Sequence, residues 1–588
     1  MIEPVPPTAI LMGGALLVPV LKGRLKTFYM VFLPVLTFVD LLYMSAGKYW
    51  IVRFLDYDLI FGRVDKLSMV FAYVFVLITF IAIIYALHVK DDAQHMAALV
   101  YAGAALGVTF AGDLFSLFIF WEILAISSVF LILARKTTES SAAALRYFMW
   151  HFFGGLCLLA GIIFYVLKRG TAEFAYIGLD DLATYLIFIG FCLNAVVFPL
   201  HAWLPDAYPR ATVTGAVFMS ALTTKSAVYI LARTFPGTPI LIWAGAFMTC
   251  FPIFYAVIAN DMRRVLSYLI NQVGFMVCGI GIGTQLAING VVSHAFCHIV
   301  YKALLFMSTG AVLHMTGKIR ATDLGGLHKT MPFTAVCCMI GAASISAFPL
   351  FSGFISKSMT VLAVAEEHQV VVWFMLLFAS AGVFHHAGIK VPYFIFFGHD
   401  SGIRSKEPPA NMRIAMAMAA FICIFLGVYP APLYNILPFP VDYQPYTAFH
   451  VLGMLQLLMF GALAFTILIL SGYYPAELRA INLDTDWFVR LPARRFILFC
   501  QIPFKRFFEI LDRNVMSAVG VLKSSPRSAV TIENGADKLF HIRLTSIPNI
   551  IYTWTKYMRT EIKQLSLNLI YILIPFIFLL FIMLYVTN

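Results

Sequence analysis

The chain has 588 residues, 61% of them hydrophobic and only 12% charged, a balance that excludes a string of soluble domains and makes lipid the natural solvent. Its net charge of +12 would suit a nucleic-acid partner, but the basic residues gather at the ends of apolar stretches: Lys22, Arg24 and Lys26, then Arg135 and Lys136, then Arg263 and Arg264. There they meet loops and lipid head groups, so no nucleic acid is expected.

Apolar stretches of about 20 residues, enough for one helix to span a bilayer, recur along the whole chain and predict an all-α polytopic membrane protein of roughly fifteen helices. The first, near 8–21, has no cleavage pattern behind it and is read as a retained helix. Further spans are expected near 27–47, 67–87, 96–112, 114–134, 147–167, 183–200, 212–233, 240–259 and 264–284. Others follow near 290–315, 332–350, 358–379, 380–397, 412–433 and 449–471. Several carry prolines, as in Phe198-Pro199-Leu200, Ala347-Phe348-Pro349 and Lys390-Val391-Pro392. Interruptions at matching places in two halves mark transport sites, although any one of them could be a packing kink.

After Tyr473 the composition changes. The run from Trp487 to Arg513 interleaves aromatic rings with Arg490, Arg494, Arg495, Lys505 and Arg506, which suits a helix lying in the membrane interface, a solvated linker being the alternative. The apolar run from Leu565 to Val586 reads as a terminal anchor. Nine cysteines without a CxxC spacing argue against a zinc, iron–sulfur or disulfide framework and are read as packing residues. No cofactor motif is apparent.

The chemistry lies in charges placed inside apolar spans. Glu122 sits mid-span between Asp113 and Ala134, where a carboxylate costs about 2.5 to 3.5 kcal/mol to insert. Lys225 is flanked on both sides by apolar turns, and a buried lysine is a group able to accept and release a proton. His294, His298 and Lys302 are spaced four and four, so they share one helix face at about 6 Å intervals. Such a titratable stripe suits a proton relay through water. Metal binding is the rival, weakened by the neighbouring cation and by the lack of a third ligand nearby. Lys390 stands just before Pro392 and after His385 and His386, while Lys357 is expected to anchor a segment end.

With these residues in view, the chain resembles, from about residue 65 to 430, the antiporter-like proton-translocating subunits shared by respiratory complex I and Mrp cation/proton antiporters. The resemblance rests on Trp121-Glu122, on FPLHAWLPDAYPRA (198–211), on NDMRRVLSYLINQVGFM (260–276) and on HAFCHIVYKALLF (294–306). The D-type component of Mrp antiporters looks most similar, with a C-terminal lateral extension added. The resemblance implies two inverted five-helix repeats with broken helices. The expected organisation is N-terminal helices in 1–95, repeats in 96–260 and 261–435, an extra helix in 436–474, a lateral segment in 475–564 and an anchor in 565–588.

The resemblance also assigns roles: Glu122 as the first-repeat carboxylate, Lys225 as a central lysine, His294, His298 and Lys302 as the connecting relay, and Lys390 as the terminal base of the second repeat. One position departs. The family places a lysine seven residues before the histidine of the PLHAWLPD stretch, and here Asn194 stands seven before His201. An amide cannot carry the proton. The expectation is therefore a proton-translocating subunit, with sodium left open as a second ion. Other membrane subunits and lipid are its expected partners, in an energy-coupling membrane read as a prokaryotic inner membrane. A non-pumping structural subunit is the alternative, and a stand-alone solute carrier a weaker third.

Overall fold

In the computed structural model the chain is described at residues 4–478 apart from Leu55, and beyond them at Asp484, Thr485, Trp487, Arg495, Arg506 and Arg513. One compact unit covers Met1–Asn482 and a second Leu483–Asn588. The expected lateral segment falls almost wholly, and the terminal anchor wholly, outside the described residues.

A backbone in hydrocarbon must satisfy its own polar groups, and these apolar runs do so as helices. In chain order they are α1 Pro7–Ala15, α2 Gly23–Tyr43, α3 Lys66–Ala86, α4 Asp92–Phe110, α5 Leu114–Leu133, α6 Thr138–Arg169 and α7 Leu182–Asn194. Then come α8 Gly215–Thr234, α9 Pro239–Ile258, α10 Met262–Ile282, α11 Gln285–Thr316, α12 Pro332–Ile345 and α13 Ser352–Glu366, followed by α14 Val370–Phe397, α15 Ala410–Val428 and α16 Ala448–Leu470. Twelve of the described helices are long and apolar enough to cross a membrane, and α7 and α12 are shorter apolar companions. The protein is a multi-pass membrane protein.

Polar side chains set where the helices of the first half begin. Asp65, Asp91, Asp113, Thr137 and Asp181 each accept an amide hydrogen bond at the start of α3, α4, α5, α6 and α7, satisfying donors that the first turn leaves free. Asp113 does more, since its second oxygen accepts from Ile60 N at 2.6 Å. That bond ties α5 to an antiparallel hairpin, β1 Gly47–Phe54 paired with β2 Tyr57–Val64. The hairpin departs from the all-helical expectation. Its signal is the β-branched and aromatic content of the stretch between Lys48 and Val64, broken by Asp56.

Asp65 also grips Arg233 at the end of α8 through two bonds of 2.8 Å, fixing α8 against α3. Arg233 keeps only 7% of its side chain exposed. Asp65→Asn would leave this guanidinium without its counter-ion, at a cost of about 3 kcal/mol. A lowered thermal unfolding midpoint of the detergent-solubilised protein is the expected result, and an unchanged midpoint would show that the pair contributes nothing.

Two of the expected interruptions are near copies of each other. After α7, Val196 adopts φ 56° and Phe198-Pro199-Leu200 follows; after α12, Ala347 adopts φ 59° and Phe348-Pro349-Leu350 follows. Val197 N bonds Cys192 O at 2.9 Å and Phe348 N bonds Ala343 O at 3.0 Å, each reaching back five residues. A left-handed non-glycine residue costs about 1 to 3 kcal/mol, and this bonding closes the helix end around it.

The helix expected near 8–21 forms over nine residues, too short to cross a bilayer. One span expectation changes. The span expected over 358–379 is divided, because Glu366, Glu367, His368 and Gln369 end α13 and lead into α14.

Candidate functional site

α8 and α11 run through the interior, and their charged side chains lie there. Lys225, His294, His298 and Lys302 are all fully buried. α8 breaks its bonding at Leu222, and Lys225 Nζ donates to Ser220 O, a carbonyl just before that break, at 2.7 Å. Lys302 and His298 are its electrostatic neighbours. The Lys302 ammonium lies 5.7 Å from the centre of the Tyr208 ring, a cation–π distance.

The stripe on α11 forms as its spacing requires. His294 and His298 stack with ring centres 6.0 Å apart and planes 7° apart, which aligns them along the helix without converging their nitrogens on one point. His294 reaches Gln272 Oε1 on α10 at 3.1 Å and Ser356 Oγ on α13 at 3.2 Å. His298 has neither ring nitrogen bonded to a described residue.

Lys357, expected at a segment end, is instead 1% exposed, with its ammonium 4.7 Å from the Phe275 ring centre. The break before α13 carries it inward, and it faces His294 and His386 electrostatically. His386 takes up the next position: Asn271 Nδ2 donates to its Nε2 at 3.5 Å, and its Nδ1 donates to Gly382 O at 2.7 Å. The α14 backbone around it widens to π-helical bonding over Phe384–Lys390, a local irregularity that frees carbonyls and re-aims side chains.

Lys390 ends this row. Its Nζ donates to Ala256 O, Val257 O and Ala259 O at 3.2, 2.5 and 2.9 Å, at the frayed end of α9. It also pairs with Glu477 at 2.7 Å, both side chains buried (0% and 9% exposed). Glu477 comes from the chain just after α16, and with Tyr474, Phe394 and His399 it lines an open cavity of about 340 Å³. Nothing in the sequence singles it out, because it lies outside every apolar span.

The first half is arranged differently. Glu122 is half-buried on α5, with Oε1 covered and unbonded among described residues. It packs over Gly155 of α6, where any Cβ would collide with its carboxylate. Asn194 ends α7, 1% exposed, with neither amide atom hydrogen-bonded in standard geometry. Beside it lies His151 of α6, 2% exposed, a titratable residue absent from the sequence-based expectations.

The motif stretches act as braces. Trp203 Nε1 donates to Leu193 O at 3.1 Å, Tyr208 Oη to Met219 O at 2.7 Å, and Arg146 forms a two-pronged pair with Asp206. Arg263, expected at the head groups, is 1% exposed. Its guanidinium donates to the carbonyls of Tyr208, Pro209, Ala211 and Thr212. Those carbonyls converge at a loop end and make the arginine a structural clamp, which its position in the sequence does not reveal.

Residues 111–385 match the family model described as NADH:quinone oxidoreductase/Mrp antiporter, TM. A D-type component of the Na(+)/H(+) antiporter of Alkalihalophilus pseudofirmus is 31% identical over 356 residues, covering 56% of this chain and 71% of that protein. The chain belongs to this family.

The matched region of the family holds Glu122, Asn194, Lys225, His294, His298 and Lys302 and stops at residue 385, short of Lys390. Chain 5 of the NAD(P)H-quinone oxidoreductase of Synechocystis is 30% identical over 445 residues, covering 68% of this chain and 61% of that protein. The fold is shared with a chain of the Mrp complex from Dietzia, at a TM-score of 0.74 and 22% identity, over 90% of this chain and 64% of that one.

Proposed function

We propose that the chain is a proton-translocating subunit of a multisubunit complex I-like or Mrp-like membrane assembly. The observation that carries this reading is the row of buried polar groups from Lys225 through Lys302, His298 and His294 to Lys357, His386, Lys390 and Glu477. Buried charge in a membrane is expensive and is kept where ions move. Moving one proton charge against 100 mV takes about 2.3 kcal/mol. Partner subunits or an opposing ion gradient supply that energy, and this chain supplies the route. Its setting is an energy-coupling membrane, read as a prokaryotic inner membrane, and sodium is the candidate counter-ion.

Within the row some steps run along one helix, as from Lys302 through His298 to His294 on α11, and others cross between helices. Lys225 and Lys302 face one another through His298, so protonation of one opposes protonation of the next. His294 passes from α11 to α10 and α13 through Gln272 and Ser356. Lys390 then holds the charge among carbonyls and a carboxylate beside the cavity. The test is proton uptake by liposomes holding the purified assembly. Lys302→Ala is expected to lower the initial rate about tenfold, a barrier change of about 1.4 kcal/mol; a full rate overturns the reading.

Asn194, an amide where the family places a lysine, favours a second reading, a structural subunit that no longer pumps. Asn194→Lys separates the two, because a scaffold shows no change in transport when that charge is supplied.

A further inference from the structure

We propose that His151 is the proton carrier between Glu122 and the central Lys225, working through a hydroxyl bridge built on Tyr147 and Thr223. This rests on the reading of the chain as a proton-translocating subunit.

His151 is buried on α6, where the Asn194 side chain is its hydrogen-bonding neighbour and neither ring nitrogen makes a bond of standard geometry to a described residue. A buried polar ring left this way is expensive unless it serves a purpose. Its position relates it to both ends of the gap. Gly155, over which the Glu122 carboxylate packs, lies four residues further along the same face of α6, about 6 Å along the axis. That is a distance that one or two waters would bridge. On the other side the ring lies tilted against Tyr147, centres 4.2 Å and planes 43° apart, with the Trp203 edge at 4.6 Å.

Tyr147 Oη lies 2.8 Å from Ser128 Oγ and also engages the Thr223 side chain. Thr223 Oγ1 in turn is 2.5 Å from Tyr101 Oη. Thr223 sits at the break of α8, two residues before Lys225. A hydroxyl donates and accepts at once, so this cluster passes a proton without holding charge. The neighbouring Asn194 offers only an amide, which cannot.

The step balances. A protonated Glu122 gives its proton through water to the neutral imidazole, leaving a carboxylate and an imidazolium. The imidazolium then returns to neutral by passing a proton through water to the Tyr147 and Thr223 hydroxyls, which release another toward Lys225, whose amine becomes ammonium.

The test compares proton uptake by liposomes holding the purified assembly. His151→Gln keeps hydrogen bonding but cannot titrate, and is expected to lower the initial rate at least fivefold. Adding Asn194→Lys to His151→Gln puts a titratable cation back beside the same carboxylate, and is expected to recover at least half the rate. A full rate in His151→Gln overturns the proposal, and so does a loss that the added lysine fails to recover, because packing damage is not repaired by charge. Tyr147→Phe, which removes only a hydroxyl, is an independent arm that serves even where His151→Gln does not assemble: a fivefold loss supports the bridge and an unchanged rate overturns it. Lys225→Ala in the same vesicles separates the two levels. If it too pumps at full rate, the transport reading has failed; if it alone is slow, only the role of His151 has.

Discussion

Lys225→Ala is expected to reduce proton translocation by the reconstituted assembly at least tenfold, about 1.4 kcal/mol or more in the barrier, while the assembly still purifies intact. Lys225 is central to the proposed path, fully buried and bonded to Ser220 O beside the break in α8. Lys302 and His298 are its electrostatic neighbours, so a relay in which one site empties as the next fills loses its alternation when that charge is gone. Lys225→Arg makes the sharper comparison. Arginine keeps the cation but cannot release a proton, so it is expected to be as slow as alanine. A fast Lys225→Arg variant would show that position 225 supplies a fixed charge and carries no proton.

The second large effect is expected at Glu477. Glu477→Gln removes the carboxylate from an ammonium that is fully covered, leaving Lys390 with three carbonyls and no counter-charge. Breaking such a buried pair costs about 3 to 5 kcal/mol when the lysine stays charged. Part of that cost is avoided if Lys390 stays neutral, which also stops it from receiving the proton. Transport is therefore expected to fall about tenfold, with a lower unfolding midpoint as the second readout. Glu477→Asp, one methylene shorter, is expected to restore part of both. Full transport in Glu477→Gln would show that the proposed path does not depend on the Lys390–Glu477 pair.

Glu477 shows why the site is only partly legible in the sequence. Glu122, Lys225, His294, His298, Lys302 and Lys390 each interrupt an apolar run of spanning length, so each announces itself by its local insertion cost. Glu477 follows the end of α16 among polar residues, where a carboxylate is ordinary. His151 fails to register for another reason: a single histidine among aromatic residues carries no spacing signal, and what sets it beside Tyr147 and Asn194 is the packing of the helices around it. Lys357 and Arg263 are expected at segment ends and are interior in the fold. In both cases a break in the helix nearby turns the chain inward, and the direction of that turn depends on contacts far along the chain.

The amino-acid sequence by itself determined that this is a helical membrane protein, where most helices run, and which charges are too costly to be incidental. Those are local properties: about 20 apolar residues meet the thickness of a bilayer, and a spacing of four places side chains on one face. The tertiary structure alone decided which charges become neighbours. His294 meets Gln272 and Ser356, His386 meets Asn271, and Lys390 meets Glu477 only because separate helices pack side by side. A proton passes between groups that touch or share water, and touching across helices is a property of the packed chain.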